Sequence, residues 1–287
     1  MTVLTDSDLT YFWLGPLGYL RQLPLLPVSG SSDASEELTG GLSTGLDGTG
    51  TLDVLGHKRT WRLDWVCLSL LDTRTQHALY QGLTRSAVRI VDPRAGNRLS
   101  RDGASGGSYS RDVDAHTVTA GTRAFAAVTD YPTDLIGLVD GAVSWSVPVT
   151  TTATLRIDDT DRIPLIPGEQ ITLSVLVDGT GSTQVGVQYY NAAGTAGSTS
   201  LASSFTAGSW AWQSHTFTPS ATQVSASLIV VAASGSARTV RIGPALWHPE
   251  NTDWVPGTGC PRVLLTGSPT RYPGLANHDT GLIVREA

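Results

Sequence analysis

Apolar and polar positions alternate in short runs along most of this chain. Within residues 170–178, Ile171, Leu173, Val175 and Val177 fall on one side of an extended backbone, and Thr172 and Ser174 on the other. Residues 183–190 repeat the pattern with Val185, Val187 and Tyr189 inward. Residues 223–232 do so with Val224, Ala226, Leu228 and Val230. Further strands are predicted at 122–129, 142–147, 152–158, 210–218 and 238–246. Turn residues stand between them, such as Asn191-Ala192-Ala193-Gly194. Many short strands with no helical period between His116 and Leu246 predict a β-sandwich of jelly-roll type.

The N-terminal third reads differently. Residues 11–28 are apolar but broken by Gly15, Pro16, Gly18, Pro24 and Pro27, so they predict short extended pieces. The Gly/Ser/Thr-rich residues 29–50 predict a loop or an edge hairpin. Residues 51–54 and 58–69 predict two strands joined at Leu55-Gly56-His57. In the second, Trp61, Leu63 and Trp65 share one face, the pattern of a core side. Thr73-Arg74-Thr75-Gln76 predicts a capped helix running to about Gln81, with Gly82 as its stop. Residues 87–91 predict a buried strand. After a Trp/Pro/Gly-rich connector over residues 247–263, two more strands are predicted at 263–266 and 280–286. Two strands cannot bury a core alone, so this tail must complete the N-terminal part. The expected organisation is a split β-barrel with one helix over residues 1–115 and 260–287, carrying an inserted sandwich over 116–259. Trp247, Trp254, Pro256 and Pro261 are expected to stiffen the junction.

Composition narrows the function. Charged residues make up 15% of the 287, and the net charge is −6, which disfavours a general nucleic-acid binder. Residues 116–259 hold ten acidic and five basic side chains, so the acidity belongs to the sandwich. All basic residues but Lys58 are Arg, as a GC-rich genome gives. Cys67 and Cys260 make neither a disulfide framework nor a metal spacing; both are expected as buried thiols. Asp6 and Asp8, with no basic residue before Arg21, do not read as a signal peptide.

No motif of a catalytic nucleophile, zinc protease or phosphate loop is present, and the chain is expected not to be an enzyme. A sugar site would need an aromatic plane flanked by hydrogen-bonding groups. Trp145, Arg156, Gln188, Tyr190 and Trp212 are the candidates. Asp158, Asp159 and Asp161 sit in one turn and offer hard oxygens for a structural Ca²⁺, or form a solvated acidic turn. No other cofactor is expected.

Two resemblances follow from particular residues. Pro167-Gly168-Glu169, Tyr189-Tyr190-Asn191-Ala192-Ala193-Gly194, Gly208-Ser209-Trp210 and residues 240–245 make the middle segment resemble a jelly-roll carbohydrate-binding module. Residues 11–18, Trp61-Arg62-Leu63-Asp64-Trp65, Val91-Asp92-Pro93, Asn97-Arg98-Leu99-Ser100, 254–263 and 272–286 make the whole chain resemble distal and minor tail proteins of phages that infect actinobacteria. That resemblance implies a virion protein assembled in the host cytoplasm. Six copies would form a tail-tip ring between tail-tube and tip proteins, with DNA passing through the ring and the sandwich at its periphery. The alternative is a lectin-like protein in which the sandwich, bound to host-surface glycan, is the working part.

Overall fold

A computed structural model of the chain describes residues 11–24, 32–44, 50–68, 70–82, 87–149, 151–206, 208–235, 237–249, 253–266 and 278–287. The chain begins with strands β1 (Trp13–Pro16), β2 (Arg21–Gln22), β3 (Ser32–Thr44) and β4 (Gly50–Leu68), then helix α1 (Leu70–Tyr80) and β5 (Val88–Val91). A short helix α2 (Arg101–Ser105) leads to β6 (His116–Val118), β7 (Thr122–Ala127), β8 (Gly141–Val147), β9 (Ala153–Ile157), β10 (Ile163–Pro164) and β11 (Ile171–Gly179). There follow β12 (Ser182–Tyr190), β13 (Ala196–Leu201), β14 (Phe205–Thr206), β15 (Ala211–Phe217), β16 (Ser225–Ala232) and β17 (Arg238–His248). The last strands are β18 (Arg262–Leu265) and β19 (His278–Glu286). All strands of the named sheets pair antiparallel. No helix among the described residues is long and apolar enough to cross a membrane.

The chain divides into two compact units. One comprises Thr10–Val91 with Pro261–Ala287, the other Asp92–Cys260. In the first, seven strands lie in the order β2-β1-β5-β18-β19-β4-β3. The C-terminal strands occupy its middle: Val263 pairs with Val88, and Leu282 with Leu63. Alternation then explains the core. Trp61, Leu63 and Trp65 of β4 and Leu282 and Val284 of β19 point to one side, where Leu14, Ile90, Val263 and Leu79 of α1 join them. Each such large side chain contributes on the order of 2 kcal/mol on burial. The Trp65 indole still meets a partner, donating to the Pro24 carbonyl at 2.8 Å.

Three expectations change here. The barrel is not closed: the sheet ends at the two-residue, exposed β2 and at β3, which among the described residues pairs only with β4. The loop over Leu55-Gly56-His57 does not form, and β4 runs unbroken for 19 residues because β3 pairs along it. Helix α1 starts at Leu70, ahead of the Thr73 box, and stops where Gly82 takes a positive φ of 63°. The motif at Tyr272-Pro273 and the Cys67 side chain lie outside the described residues.

The second unit is a sandwich of two sheets, β13-β12-β16-β9-β6 and β15-β11-β17-β8-β7, with β10 on β16 and β14 on β12. Its interior holds Leu155, Val185, Val187, Leu228 and Val230 from the first sheet. Leu173, Val175, Val240, Ile242 and Trp247 come from the second. Phe217 bridges the layers, its ring edge-on to Tyr189 at 5.8 Å and to Trp247 at 5.3 Å.

Residues 92–115 fall in this sandwich unit, so the division comes at Val91 and not at 115. The reason is polar burial. Asn97 is fully buried. Its amide donates to the carbonyls of Ala245 (2.8 Å) and Val255 (3.0 Å) and accepts from the Trp247 N–H (3.1 Å). Arg98 is also buried and forms a two-bond pair with buried Glu169, at 2.6 and 2.8 Å. Neither side chain could leave these partners without stranding a buried polar group.

Candidate functional site

The first sheet of the sandwich brings three of the five sugar-site candidates to one outer face. Arg156 stands opposite Ile229, Gln188 opposite Ser227, and Tyr190 opposite Ser225. Tyr190 and Arg156 meet at Asp159, which the sequence offered for a metal turn or a solvated acidic one. Its Oδ1 accepts from the Tyr190 hydroxyl (2.5 Å) and the Ser227 hydroxyl (3.2 Å), and its Oδ2 from the Thr117 hydroxyl (3.3 Å). Arg156 and Arg162 reach the same carboxylate at 3.9 Å. Arg162 also lies over the Tyr190 ring, 3.5 Å from its centre. Gln188 Nε2 donates to the carbonyls of Gly197 (2.9 Å) and Ser198 (3.2 Å). Tyr190, Gln188 and Ser227 are buried, and burial raises the Tyr190 phenol pKa. Most of these groups pair with one another, but Arg156 Nε is buried with no hydrogen-bond partner among the described residues, and the Arg162 guanidinium covers one face of the Tyr190 ring.

The other two candidates lie elsewhere. Trp145 is fully buried in the sandwich interior, its indole donating to the Ala120 carbonyl at 3.1 Å, so it cannot meet a ligand. Trp212 is on the second sheet, facing outward from β15 beside Leu176, and is 36% exposed.

The three aspartates do not converge. Asp158 is buried at a positive φ of 56°, and its carboxylate accepts from the Ser100 N–H (2.7 Å) and hydroxyl (2.6 Å), tying α2 to β9. Gly103 packs against it so closely that a Cβ there would lie 2.9 Å from the carboxylate oxygens. Burial pushes the Asp158 carboxyl up to about 6, against the Ser100 hydrogen bonds that lower it. Asp159 serves the Tyr190 network, and Asp161 is exposed. No group of three or more His, Cys, Asp or Glu among the described residues is placed to hold a metal.

The junction residues are also reassigned. Trp247 is sandwich core. Trp254 donates to the Ala104 carbonyl (2.9 Å) and packs beside Val128, Leu135 and Val139, so it holds a loop and α2 within the sandwich. Pro256 is exposed in that unit. Pro261 opens the return to the terminal sheet, its carbonyl accepting from the Ile90 N–H at 3.4 Å. Cys260 is a buried thiol.

A cleft that sequence reading did not assign opens on the outer side of the second sheet. Its volume is ≈ 340 Å³, and Asp130, Tyr131, Asp178, Trp210 and Arg241 line it. Arg241 donates to both oxygens of Asp130 (3.0 and 2.8 Å) and through Nε to Asp178 (2.7 Å). It also lies over the Trp210 ring, 4.6 Å from its centre. The Trp210 indole donates to Asp130 (3.2 Å) and its ring packs on Tyr131, with centroids 4.8 Å apart. The hydrogen bonds from Arg241 and Trp210 hold the Asp130 carboxyl down at about 2. Only Gly208-Ser209-Trp210 stood out beforehand. Asp130 and Arg241 are 111 residues apart, and nothing local joins them.

No family model and no curated protein matches the sequence. Solved structures similar in fold include the enzymatically active domain of bacteriophage CBA120 tailspike protein 4. That likeness has a TM-score of 0.43 at 15% identity, over 53% of this chain and 21% of the tailspike chain. TmCBM61 bound to β-1,4-galactotriose is similar at a TM-score of 0.38 and 11% identity, over 54% of this chain and 99% of that one. The family 11 carbohydrate-binding module of a Clostridium thermocellum cellulosomal cellulase is similar at 0.34 and 11%, over 48% and 89%.

Proposed function

We propose that this chain is a ring-forming structural subunit of a phage tail tip, with its sandwich at the periphery and neighbours in the tail tube and tip. The observation that carries the reading is the unfinished state of the terminal sheet. Among the described residues, strand β19 pairs with β4 only from Thr60 onward, and residues 50–58 pair with β3 and continue as a two-stranded ribbon. Such a ribbon is marginal in water by itself, and its edges, unpaired among the described residues, invite another strand or surface. A second copy of the same sheet supplies that surface, and a head-to-tail contact of this kind closes into a ring when its rotation permits. The tail-protein motifs at residues 11–18, 61–65 and 254–263 support the same reading, with six copies as the expected order.

The test is electron microscopy of purified protein, alone and with tail-tube protein, beside sedimentation. Six-fold rings of tail width are expected. A variant with residues 40–53 replaced by a two-residue turn should keep its circular dichroism spectrum and lose the ring. A wild-type chain that stays monomeric under both conditions would overturn the reading. A glycan-binding role for the sandwich is favoured by a separate observation, the open cleft beside Trp210.

A further inference from the structure

We propose that loop 129–140 of one copy of this chain docks on the outer face of β18, β19 and β4 of a second copy. Each surface is apolar at its centre and charged at its rim, the composition of a protein contact. The two rims have opposite sign.

The loop is built to present two aliphatic side chains. Its base is closed by the Val128 N–H, which donates to the Asp140 carbonyl at 2.9 Å. Its tip turns through bonds from the Leu135 N–H to the Pro132 carbonyl and from the Leu138 N–H to the Leu135 carbonyl, both 3.0 Å. Tyr131, Leu135 and Val139 are buried, with Trp210 and Trp254 packed against them. That anchor holds the loop and leaves Ile136 and Leu138 outside, 59% and 67% exposed. Residues 129–140 contain no Lys or Arg. Asp130 and Asp140 meet Arg241 and Arg111. Asp134, two residues before Ile136, is exposed and has no ion-pair partner among the described residues.

The terminal sheet offers the counterpart. Leu282 and Val284 face its core, so Ile283 and Arg285 face out, and Val263 likewise turns Arg262 and Leu264 outward. Leu264 stands opposite Arg285 and so diagonal to Ile283, and the two aliphatic side chains adjoin across β18 and β19. They are 60% and 38% exposed. Around them the exposed Lys58, Arg62, Arg262 and Arg285 outnumber Glu37 and Asp64, the acidic side chains described on that face.

Charge decides the occupant. Loops that enter a membrane surface are held there by Lys and Arg, and this loop has acidic groups in their place. An aliphatic centre rimmed by cations is the surface it matches. Both surfaces are exposed on one chain, so each is open to another copy. The contact is heterologous, loop to sheet, and a dimer keeps one free surface of each kind. It does not depend on the ring reading, which rests on the ribbon of β3 and β4.

The test is sedimentation velocity from ~5 to ~500 µM. It is run on the wild-type chain and on the variant that lacks the ribbon, so that a ribbon contact is read separately. Without the ribbon, association should remain, with a dissociation constant of ~10–100 µM. Ile136→Ser with Leu138→Ser, and separately Leu264→Ser with Ile283→Ser, should each weaken it about tenfold or more. A mixture of those two double variants holds one intact loop and one intact face, and should form dimers that grow no further. Asp134→Lys should weaken association about threefold, as should raising the salt from ~0.05 to ~0.5 M. Unchanged melting curves of each variant separate lost docking from lost folding. Association that persists undiminished in both double variants overturns the proposal and leaves the ring reading standing. So does a mixture that stays monomeric. A ribbonless chain that stays monomeric at ~500 µM but floats with phosphatidylcholine vesicles through Ile136 and Leu138 would assign the loop to a membrane and overturn the proposal as well.

Discussion

The sandwich and the terminal sheet solve the same problem in opposite ways. In the sandwich, two sheets cover each other and many of its outer polar groups find partners within the unit, as Asp159 and Arg241 do. The terminal sheet is assembled from chain segments nearly two hundred residues apart, has its own core on one face, and among the described residues ends in unpaired edges. A closed unit stores its specificity internally, in buried bonds. An open one leaves part of its hydrogen bonding for something else to complete. Stability is therefore expected to reside in different interactions in the two units, and three measurements press on that contrast.

The largest effect is expected from Arg98→Met. Arg98 and Glu169 are both buried, so removing the guanidinium strands a carboxylate. It should destabilise the sandwich by about 3–5 kcal/mol in urea titration. Restoring apolar balance with Glu169→Leu in the same chain should recover most of the loss. The terminal sheet should melt as before, and a common shift of both units would break the contrast.

Leu282→Ala comes next. It empties a fully buried position in the middle of the terminal sheet and should cost about 3 kcal/mol there. Hydrogen exchange should show β4, β5 and β18 losing protection while β11 and β16 keep theirs. Equal loss in β11 would show that the units unfold together.

The smallest effect concerns pH and sharpens the view of the sandwich as self-contained. His116 is fully buried, and neither ring nitrogen has a hydrogen-bond partner among the described residues. Burial first, and then the charge of Arg123, push its pKa down to about 3 from 6.5. Above pH 6.5 it has no effect. As pH falls from 6.5 toward 3, the unfolded chain takes a proton that the folded one refuses, and stability drops by about 1 kcal/mol per unit. Asp158 has the opposite sign. Its carboxyl is raised to about 6 from 3.8, so its contribution is fully present below 3.8 and lost as pH rises through 6. Between pH 4 and 6 the two slopes oppose each other. Asp158→Asn should therefore steepen acid destabilisation of the sandwich, and His116→Phe should flatten or reverse it, in denaturation series at pH 4, 5 and 6. Unchanged slopes would mean that neither group is as isolated as its surroundings imply.

The strands of the sandwich were legible in the sequence because alternation is local. Ile171, Leu173 and Val175 declare their face within five residues, and the structure keeps it. The site was far less legible. Trp145 and Trp212 are both aromatic residues on predicted strands, yet one is core and one is surface. Only the pairing of β8 with β17 and of β15 with β11 distinguishes them. Asp158 and Asp159 are adjacent in the chain but bond on different sides, one to Ser100 and the other to Tyr190.

Sequence alone determined the β-rich class, the alternating core faces, the helix stop at Gly82 and the need for the tail to find partners elsewhere. These follow from side-chain period, backbone preference and the smallest number of strands that can bury a core. Tertiary structure alone decided that the terminal sheet stays open and that residues 92–115 belong to the sandwich. It also decided that Arg241 meets Asp130 and Asp178 in one cleft. Those outcomes depend on which distant segments pair, and on where buried polar groups such as Asn97 and Arg98 find partners, which no local pattern encodes.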